Sequence, residues 1–217
     1  MNYKNPQYLV ETDWLEAHLD QAGLRVFDVT GMLTAKLENV AEERHYDQGH
    51  IPGAIFFDVA SAKGELSDPA NDLPWMWPTQ VHFEQVMSCY GVTQESHVVL
   101  YAATPRPNID NGMMWCTRAW WTMHHLGVRC SILNGGWERW VTEERPVSTE
   151  TATWSAASFK ASGDGRSAVA DKNAVLAATE TPDQVRIVDA LATSSFAGEG
   201  KALYGPRKGH ITGAVSV

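Results

Sequence analysis

Residues 49–54 read Gly-His-Ile-Pro-Gly-Ala, and residues 209–214 read Gly-His-Ile-Thr-Gly-Ala. A second pair of similar segments lies upstream: residues 25–29 read Arg-Val-Phe-Asp-Val, and residues 186–190 read Arg-Ile-Val-Asp-Ala. The first pair is offset by 160 residues and the second by 161. Two separate matches at nearly one offset indicate two copies of one domain.

The two copies differ in length. The first continues from residue 54 to about residue 140, whereas only three residues follow residue 214. Half of such a domain would expose a sheet edge and one face of its core. We therefore expect the chain to end midway through the second copy; a natural protein with an abbreviated second half is the alternative.

A polar stretch rich in small residues separates the copies. Residues 146–166 contain Ser-Ala-Ala-Ser and Ala-Ser-Gly-Asp-Gly-Arg, together with several threonines. This composition offers few side chains to a core and favours an interdomain connection. The sequence predicts a first domain at residues 1–145, a linker at residues 146–166 and the opening part of a second domain at residues 167–217.

The composition is that of an acidic globular protein. Of the 217 residues, 44% are hydrophobic, and 17 Lys and Arg stand against 26 Asp and Glu, which gives a formal net charge of −9. An acidic surface repels phosphate backbones, so we expect no nucleic-acid partner. Residues 1–9 contain no apolar run of signal-peptide length, and no stretch approaches the ~18 apolar residues of a membrane span. We therefore expect no membrane partner and a cytoplasmic location.

The three cysteines, Cys89, Cys116 and Cys130, are odd in number, widely spaced and free of any Cys-x-x-Cys pair. This spacing argues against a disulfide framework and against a structural zinc site. Since free cysteine prefers the protein interior, we expect three buried, reduced thiols and no metal site.

Short strands alternate with helices in the first copy. The pattern predicts strands at residues 24–29, 54–57, 97–101 and 131–133, and helices at residues 13–21, 79–90, 111–126 and 137–142. The second copy repeats the opening, with a helix at residues 171–178 and a strand at residues 185–188. This alternation favours an α/β fold whose mostly parallel central sheet is covered by helices on both faces.

The repeated turn, its upstream strand and the segment Leu-Asn-Gly-Gly-Trp at residues 133–137 together resemble the rhodanese family. The helical stretch at residues 113–127 and the Tyr-x-x-Arg-x-Gly-His segment at residues 204–210 look most like bacterial tandem-domain thiosulfate and 3-mercaptopyruvate sulfurtransferases. The resemblance implies transfer of a sulfane sulfur from thiosulfate or a related donor to cyanide or a thiol. It implies a cysteine persulfide as the carrier and no metal or organic cofactor.

The resemblance also implies where the nucleophile belongs. In tandem members the working cysteine lies in the second domain, in a loop that follows a central strand. In the first copy that loop begins with Ala102, which cannot form a persulfide, and the matching loop of the second copy would lie after Val217. We therefore expect no catalytic cysteine in this chain and no activity from it alone. We expect the missing part of the second domain to pack on it, and Cys116 to be structural because it lies inside a helix.

Three residues are candidates for binding the sulfur donor. Asp58 follows the first repeated turn, where an acidic residue in tandem relatives can reach the active site; the alternative is a surface or capping aspartate. Arg207 lies near the second turn and could pair with an oxyanion, although a solvated basic residue is an equal alternative. His210 opens that second turn, and a hydrogen bond that stabilises the turn is its alternative role.

Other positions separate this chain from the relatives that use mercaptopyruvate. Trp75 stands where such relatives have a histidine, and Leu191 and Ser195 replace two arginines, so mercaptopyruvate is the less expected donor. A non-catalytic rhodanese-like binding or regulatory module is the competing function. A rhodanese-fold phosphatase needs a Cys-x5-Arg loop, and residues 101–106 contain no cysteine.

Overall fold

The computed structural model describes residues 3–107, 109–163, 165, 168–200 and 206–217. The chain divides into two compact units, Met1–Gly165 and Arg166–Val217. Each unit is described by itself below. The predicted boundaries at residues 145 and 166 stay a prediction.

The first unit is built on a five-stranded sheet in the order β1-β5-β4-β2-β3, and every pair of neighbouring strands is parallel. The strands are β1 (Leu9–Val10), β2 (Leu24–Asp28), β3 (Ile55–Phe56), β4 (His97–Tyr101) and β5 (Arg129–Leu133). The predicted parallel sheet is therefore confirmed, and β4 has the predicted bounds. The sequence did not predict β1, a two-residue edge strand that pairs with β5.

Helices cover both faces of this sheet. They are α1 (Thr12–His18), α2 (Ala41–Arg44), α3 (Gln80–Cys89), α4 (Gly112–His125) and α5 (Gly136–Thr142), with short 3-10 turns at Pro6–Tyr8 and Tyr46–Gln48. Within the described parts of the chain, no helix combines the length and apolarity needed to cross a membrane.

Alternate residues of the central strands enter two separate cores. Val98 and Leu100 of β4 pack with Phe83 of α3 and Met123 of α4 on one face. On the other face, Val99 packs with residues of α1 and α5. Because side chains alternate along a strand, an apolar run such as β4 must be covered on both sides.

Side-chain caps begin the two longest helices of the first unit, α3 and α4. Thr79 accepts from the His82 N–H at 3.2 Å to start α3, and Asn111 accepts from the Met114 N–H at 3.2 Å to start α4. These two predicted starts hold to within a residue. Helix α1 begins at Thr12, one residue before the predicted start, and Glu11 at its N-cap makes no side-chain capping hydrogen bond. Capping side chains satisfy amide groups that the first helical turn leaves without partners.

Most of the segment predicted to be a linker belongs to the first unit, which extends to Gly165, and packs within it. The Phe159 side chain is 2% exposed and joins the α3 face of the core. The backbone N–H groups of Ala157 and Phe159 donate to the carbonyl and hydroxyl oxygens of Ser88, at 2.8 and 3.0 Å. The Arg25 guanidinium carbon lies over the Trp154 ring, 5.0 Å from the centroid of that ring. Residues 154–159 therefore form a packed strap, because the few apolar residues among the small ones are placed on the core.

The second unit contains α6 (Lys172–Glu180), β6 (Val188–Asp189), α7 (Thr193–Phe196) and β7 (Val215–Ser216). Strands β6 and β7 pair in parallel, with Val188 opposite Val215 and Asp189 opposite Ser216. The first unit pairs β2 and β3 in the same register, with Phe27 opposite Ile55. The repeat in sequence thus corresponds to a repeat in strand pairing.

Candidate functional site

The loop that follows β4 lies at the carboxyl edge of the first unit's sheet, where ligands of parallel sheets commonly bind. The Ala103 N–H donates to Thr30 Oγ1 at 2.9 Å, and the Trp137 N–H donates to the Ala102 carbonyl at 3.2 Å. The loop is therefore tied to the segments that follow β2 and β5.

Two glycines bring neighbouring backbone close to this loop. A Cβ on Gly112 would lie 2.5 Å from the Ala103 carbonyl oxygen, and a Cβ on Gly136 would lie 2.7 Å from the Ala102 carbonyl oxygen. Ala102 itself is 6% exposed. The position that the resemblance assigns to a cysteine is thus occupied by a small, buried methyl group.

The same loop contains a closed ion pair. Arg106 Nε and Nη2 lie 2.9 and 2.6 Å from Asp110 Oδ2 and Oδ1, and the Arg106 N–H also donates to Oδ2 at 3.0 Å. Hydrogen bonding to Asp110 raises the pKa of the Arg106 guanidinium. Since a bidentate carboxylate already occupies this guanidinium, an anionic ligand would have to compete with Asp110.

Burial suppresses the nucleophilicity of two of the three cysteines. Burial raises the pKa of the Cys116 thiol, and the nearby negative charges of Asp28 and Glu138 raise it further. Burial raises the pKa of Cys130 to about 12, and its Sγ lies 3.5 Å from the Trp120 carbonyl oxygen. Because the thiolate is the reactive form, both thiols are poor nucleophiles at neutral pH.

Cys89 corrects a prediction. It was expected in the core with the other two thiols, but it is exposed at the end of α3. The inner face of α3 is formed by Phe83, Val86 and Met87, and Cys89 lies on the other side of the helix. The expectation of a buried thiol is wrong at Cys89 and confirmed at Cys116 and Cys130.

Asp28 is buried at the carboxyl end of β2. Its Oδ1 accepts from the Thr30 N–H at 2.9 Å, whereas its Oδ2 has no hydrogen-bond partner in the part of the chain that the structure describes. Burial raises the pKa of this carboxyl. Asp189 in the second unit repeats the first contact, because its Oδ1 accepts from the Leu191 N–H at 2.9 Å. Both aspartates therefore pin the turn after their strand.

Asp58 has a dense set of local contacts. Its Oδ1 accepts from the Ala60 N–H at 3.1 Å, from the Ser61 N–H at 3.0 Å and from Asn39 Nδ2 at 3.0 Å. The side chain is half-buried. These contacts match the capping alternative, and they fix the carboxylate in place with its second oxygen left for another partner.

Arg207 and His210 lie together in the second unit. The His210 Nδ1 is 2.7 Å from the Phe196 carbonyl oxygen, and its ring stacks on the Phe196 ring at a centroid distance of 3.6 Å. His50 makes the same pair of contacts in the first unit, with the Tyr46 carbonyl at 2.9 Å and the Tyr46 ring at 3.9 Å. The imidazole of each turn is thus clamped, as the turn-stabilising alternative predicts. Tyr204, part of the segment that carried the resemblance, lies outside the described residues.

Arg207 is exposed, and no described residue forms an ion pair with it. Its guanidinium can therefore bind an anion without first releasing a carboxylate from the described residues. Asp58 belongs to the first unit and Arg207 to the second.

Sequence reasoning missed the residues that close the loop after β4. Arg106 and Asp110 stand four positions apart, and this spacing of opposite charges is a known signal for a pair. Thr30 stands two positions after a strand-ending aspartate, which is the spacing of a side-chain turn. Both signals are local, and only the structure shows that Thr30 accepts from the Ala103 N–H while Arg106 and Asp110 pair further along the same loop.

Metal-ligating side chains do not cluster among the residues described here: no group of three or more His, Cys, Asp or Glu could hold an ion. His124 and His125 are adjacent on α4: His124 stacks on Trp120, His125 lies tilted against Trp121, and the two imidazole rings meet edge-on at a centroid distance of 5.5 Å. Neighbouring helix positions point in different directions, so this pair does not form a chelate.

Comparisons with known proteins agree with this geometry. The family model described as rhodanese-like domain matches residues 11–143. The chain is 32% identical over 214 residues to the 3-mercaptopyruvate sulfurtransferase of Escherichia coli strain K12, covering 97% of this chain and 70% of that protein. It is 30% identical over 217 residues to the thiosulfate sulfurtransferase of Cricetulus griseus, covering 96% of this chain and 68% of that protein.

The structural comparison gives the same result. The crystal structure of a 3-mercaptopyruvate sulfotransferase from Escherichia coli matches with a TM-score of 0.79 and 31% identity, covering 97% of this chain and 74% of that one. With its rhodanese fold and its sulfurtransferase relatives, the chain belongs to the rhodanese family.

Proposed function

We propose that this chain takes part in moving a sulfane sulfur from thiosulfate, or a related donor, to a thiophilic acceptor through a cysteine persulfide. The observation that supports the proposal is that a rhodanese-like first unit is followed in the chain by a second unit that begins with the same elements. Both units contain the same parallel strand pair and the same histidine-clamped turn. Tandem rhodanese-like domains would account for this repeat.

The chemistry requires a thiolate at the centre of the site. The thiolate attacks the outer sulfur of thiosulfate, the S–S bond of thiosulfate breaks, and sulfite leaves with the electron pair. The acceptor, cyanide or a thiolate, then attacks the outer sulfur of the persulfide and the enzyme thiolate leaves. Two such displacements balance atoms and electrons without a metal or an organic cofactor.

None of the three cysteines of this chain fits that role. Cys116 and Cys130 are buried with raised pKa values. Cys89 is the last residue of α3, and the end of a helix leaves carbonyl groups rather than amide groups without partners. A persulfide thiolate needs such amide donors or a helix N-terminus to lower its pKa. We propose that the first unit is catalytically silent and that the sulfur-carrying cysteine is supplied by residues outside these 217.

Asp58, Arg207 and His210 are the proposed contacts to the donor. Arg207 is the strongest of the three for an oxyanion, since it is exposed and no described residue pairs with it. Asp58 keeps one carboxylate oxygen outside its capping contacts. His210 would contribute through Nε2, because its Nδ1 faces the Phe196 carbonyl.

Thiosulfate is the proposed donor rather than mercaptopyruvate. The Trp75 indole N–H, at the position where mercaptopyruvate-using relatives have a histidine, donates to the Ala60 carbonyl at 2.9 Å. Leu191 and Ser195 cannot pair with a carboxylate as arginines would. Turnover with the two donors, compared at equal concentration, tests this preference; faster turnover with mercaptopyruvate would contradict it.

The silent first unit is tested on the 217-residue chain. After incubation with thiosulfate, we expect no gain of one sulfur atom in its intact mass and no thiocyanate on adding cyanide. The matched variants are Cys116→Ser, which removes a buried thiol, and Cys89→Ser, which removes the exposed one. Turnover that either variant abolishes would show that this chain carries its own nucleophile and would overturn the proposal.

The sulfurtransferase itself is tested on the native protein by its thiosulfate:cyanide activity, with the sulfur-carrying residue located by peptide mass spectrometry. We expect turnover, with the added sulfur on a cysteine other than Cys89, Cys116 and Cys130. A native protein without turnover would instead support the competing function, a non-catalytic binding or regulatory module. The specific observation favouring that module is the loop after β4, which is filled by Ala102 and closed by the Arg106–Asp110 pair.

A further inference from the structure

A cleft lies at the amino edge of the first unit's sheet, opposite the edge just described. It has a volume of about 590 Å³ and is bordered by the starts of β4 and β5, by β1 and by α1. This volume lies within the ~300–1,000 Å³ range of small-molecule sites. No residue proposed for sulfur transfer lines it, so its function is separate from that proposal.

Aromatic rings held by their neighbours form two of its walls. Tyr8 meets Trp120 edge-on at a centroid distance of 4.8 Å and His124 at 5.4 Å. Trp14 stacks on His18 at 4.3 Å, nearly parallel to it. Rings that are already fixed lose little conformational entropy when a planar ligand packs against them.

A hydrogen-bond chain fixes the tautomer of His97 in the same cleft. The Ser131 hydroxyl donates to the Gln7 carbonyl at 3.0 Å, and His97 Nε2 lies 2.9 Å from the same hydroxyl oxygen. Because serine has one hydroxyl proton and Gln7 receives it, Nε2 must be the donor. Burial, together with the positive charge of Arg129, lowers the pKa of His97 to about 4. The neutral ring therefore keeps Nδ1 as an acceptor, and no described residue donates to it.

Among the described residues at the cleft, one guanidinium lacks an ion pair. Arg129 begins β5 and is exposed, and none of the described residues forms an ion pair with it. Of the two carboxylates at the cleft, Glu11 is paired with Arg139 and hydrogen-bonded to Asn134. The Asp13 carboxylate accepts from the backbone N–H of Trp14 at 2.7 Å.

We propose that this cleft binds a small planar aromatic carboxylate, with its ring against Tyr8 and Trp14 and its carboxylate on Arg129. Each part of such a ligand has a counterpart: the ring surface meets aromatic walls, and the anion meets a free guanidinium. A donor group on the ligand would meet His97 Nδ1. Guanidinium and carboxylate match in both charge and geometry, which distinguishes this ligand from a neutral aromatic of the same size.

The test is a titration of the ¹⁵N-labelled chain with 2-naphthoate, followed by amide chemical shifts. We expect saturable shifts that cluster at residues 7–14 and 129–131. Arg129→Gln should weaken binding about tenfold, the loss of one charge-assisted contact. Lys36→Gln removes the same charge from an exposed lysine in the loop after β2, on the opposite sheet edge, and should leave the affinity unchanged.

Two further comparisons make the outcome decisive. Naphthalene-2-methanol, which lacks the charge, should bind more weakly and equally to the wild type and to Arg129→Gln. Trp14→Leu should weaken both probes, with a circular dichroism spectrum that shows the variant is folded. Shifts that do not saturate or that cluster elsewhere, or equal effects of the two charge-removing variants, would overturn the proposal.

Discussion

Two titratable residues of the first unit, the buried Asp28 and the half-buried His97, respond to pH in opposite senses. Burial raises the pKa of Asp28. Ionisation of this carboxyl therefore lowers the stability of the folded state as the pH rises above the pKa that Asp28 has in the unfolded chain. His97 has its pKa lowered to about 4, below the ~6.5 of an unperturbed histidine. The unfolded chain therefore binds the His97 proton first as the pH falls, and the folded state loses stability from about pH 6.5 down to about pH 4.

His97→Gln tests this linkage. Glutamine keeps an amide donor for Ser131 but does not titrate, so the variant should gain stability relative to the wild type as the pH falls from 7 to 4. Because the imidazole is only half-buried, the gain should be about 1–2 kcal/mol rather than the full value of the shift. Urea unfolding of both proteins at several pH values measures it.

The control for that experiment is Val81→Ala, which changes an exposed side chain of α3 that does not titrate. The difference in unfolding free energy between this variant and the wild type should not change between pH 7 and pH 4. A flat difference for His97→Gln as well would mean that His97 titrates alike in the folded and unfolded chain.

At the scale of the element, the strap at residues 154–159 adds to a core that is otherwise built from the sheet and its helices. Phe159 packs edge-on against Phe83 of α3, at a centroid distance of 5.8 Å. The strap backbone is held by Ser88, at the end of the same helix. The strap and α3 should therefore fold and unfold together.

Phe159→Ala should lower the free energy of unfolding of the first unit by about 3–5 kcal/mol, the usual cost of removing a buried phenylalanine. Val147→Ala, at a valine that is 50% exposed in the same polar stretch, should stay within about 0.5 kcal/mol of the wild type. Chemical denaturation measures both. If Phe159→Ala cost no more than the control, residues 154–159 would behave as a free linker in solution.

Prediction from sequence succeeded where the signal was local. Strand β4 was predicted with its observed bounds because a short run rich in β-branched and aromatic residues, between Ser96 and Ala102, is typical of a buried strand. Strand β1 was missed because two residues become a strand only by pairing with β5, which lies over a hundred residues away. The exposure of Cys89 was missed for a similar reason, since the inner face of α3 is decided by what packs against it.

The candidate site divides in the same way. The absence of a nucleophile at Ala102 could be predicted, because it depends on one residue type at one position. The closure of that loop by Arg106 and Asp110 could not, since it depends on the fold of the loop itself. The cleft at the amino edge has no sequence motif, because its lining comes from segments that only the sheet brings together.

At the scale of the whole molecule, the two units differ in how much they bury. The first unit contains three clusters of buried hydrophobic side chains. Among the described residues of the second unit, only Ala178 is buried. Burial of apolar surface is the main favourable contribution to folding, so the two units should differ greatly in stability.

Native-state hydrogen exchange should show this difference. We expect amides of β4 and β5 to exchange only through global unfolding, and amides of α6 and β6 to exchange through local opening that costs far less free energy. Mass spectrometry of peptides from each unit measures both rates in one sample. Equal protection in both units would contradict the expectation.

The two repeated turns are closed by the same histidine contacts, although different lengths of chain separate the histidine from the ring on which it stacks. In the first unit the ring beneath the imidazole belongs to Tyr46, four residues before His50, and in the second it belongs to Phe196, fourteen residues before His210. The same closure therefore tolerates an insertion of ten residues. Doubling a loop costs only ~0.6 kcal/mol in closure entropy. Evolution, or a protein engineer, can thus graft new peptide between the ring and the histidine while the strand that follows keeps its place in the sheet.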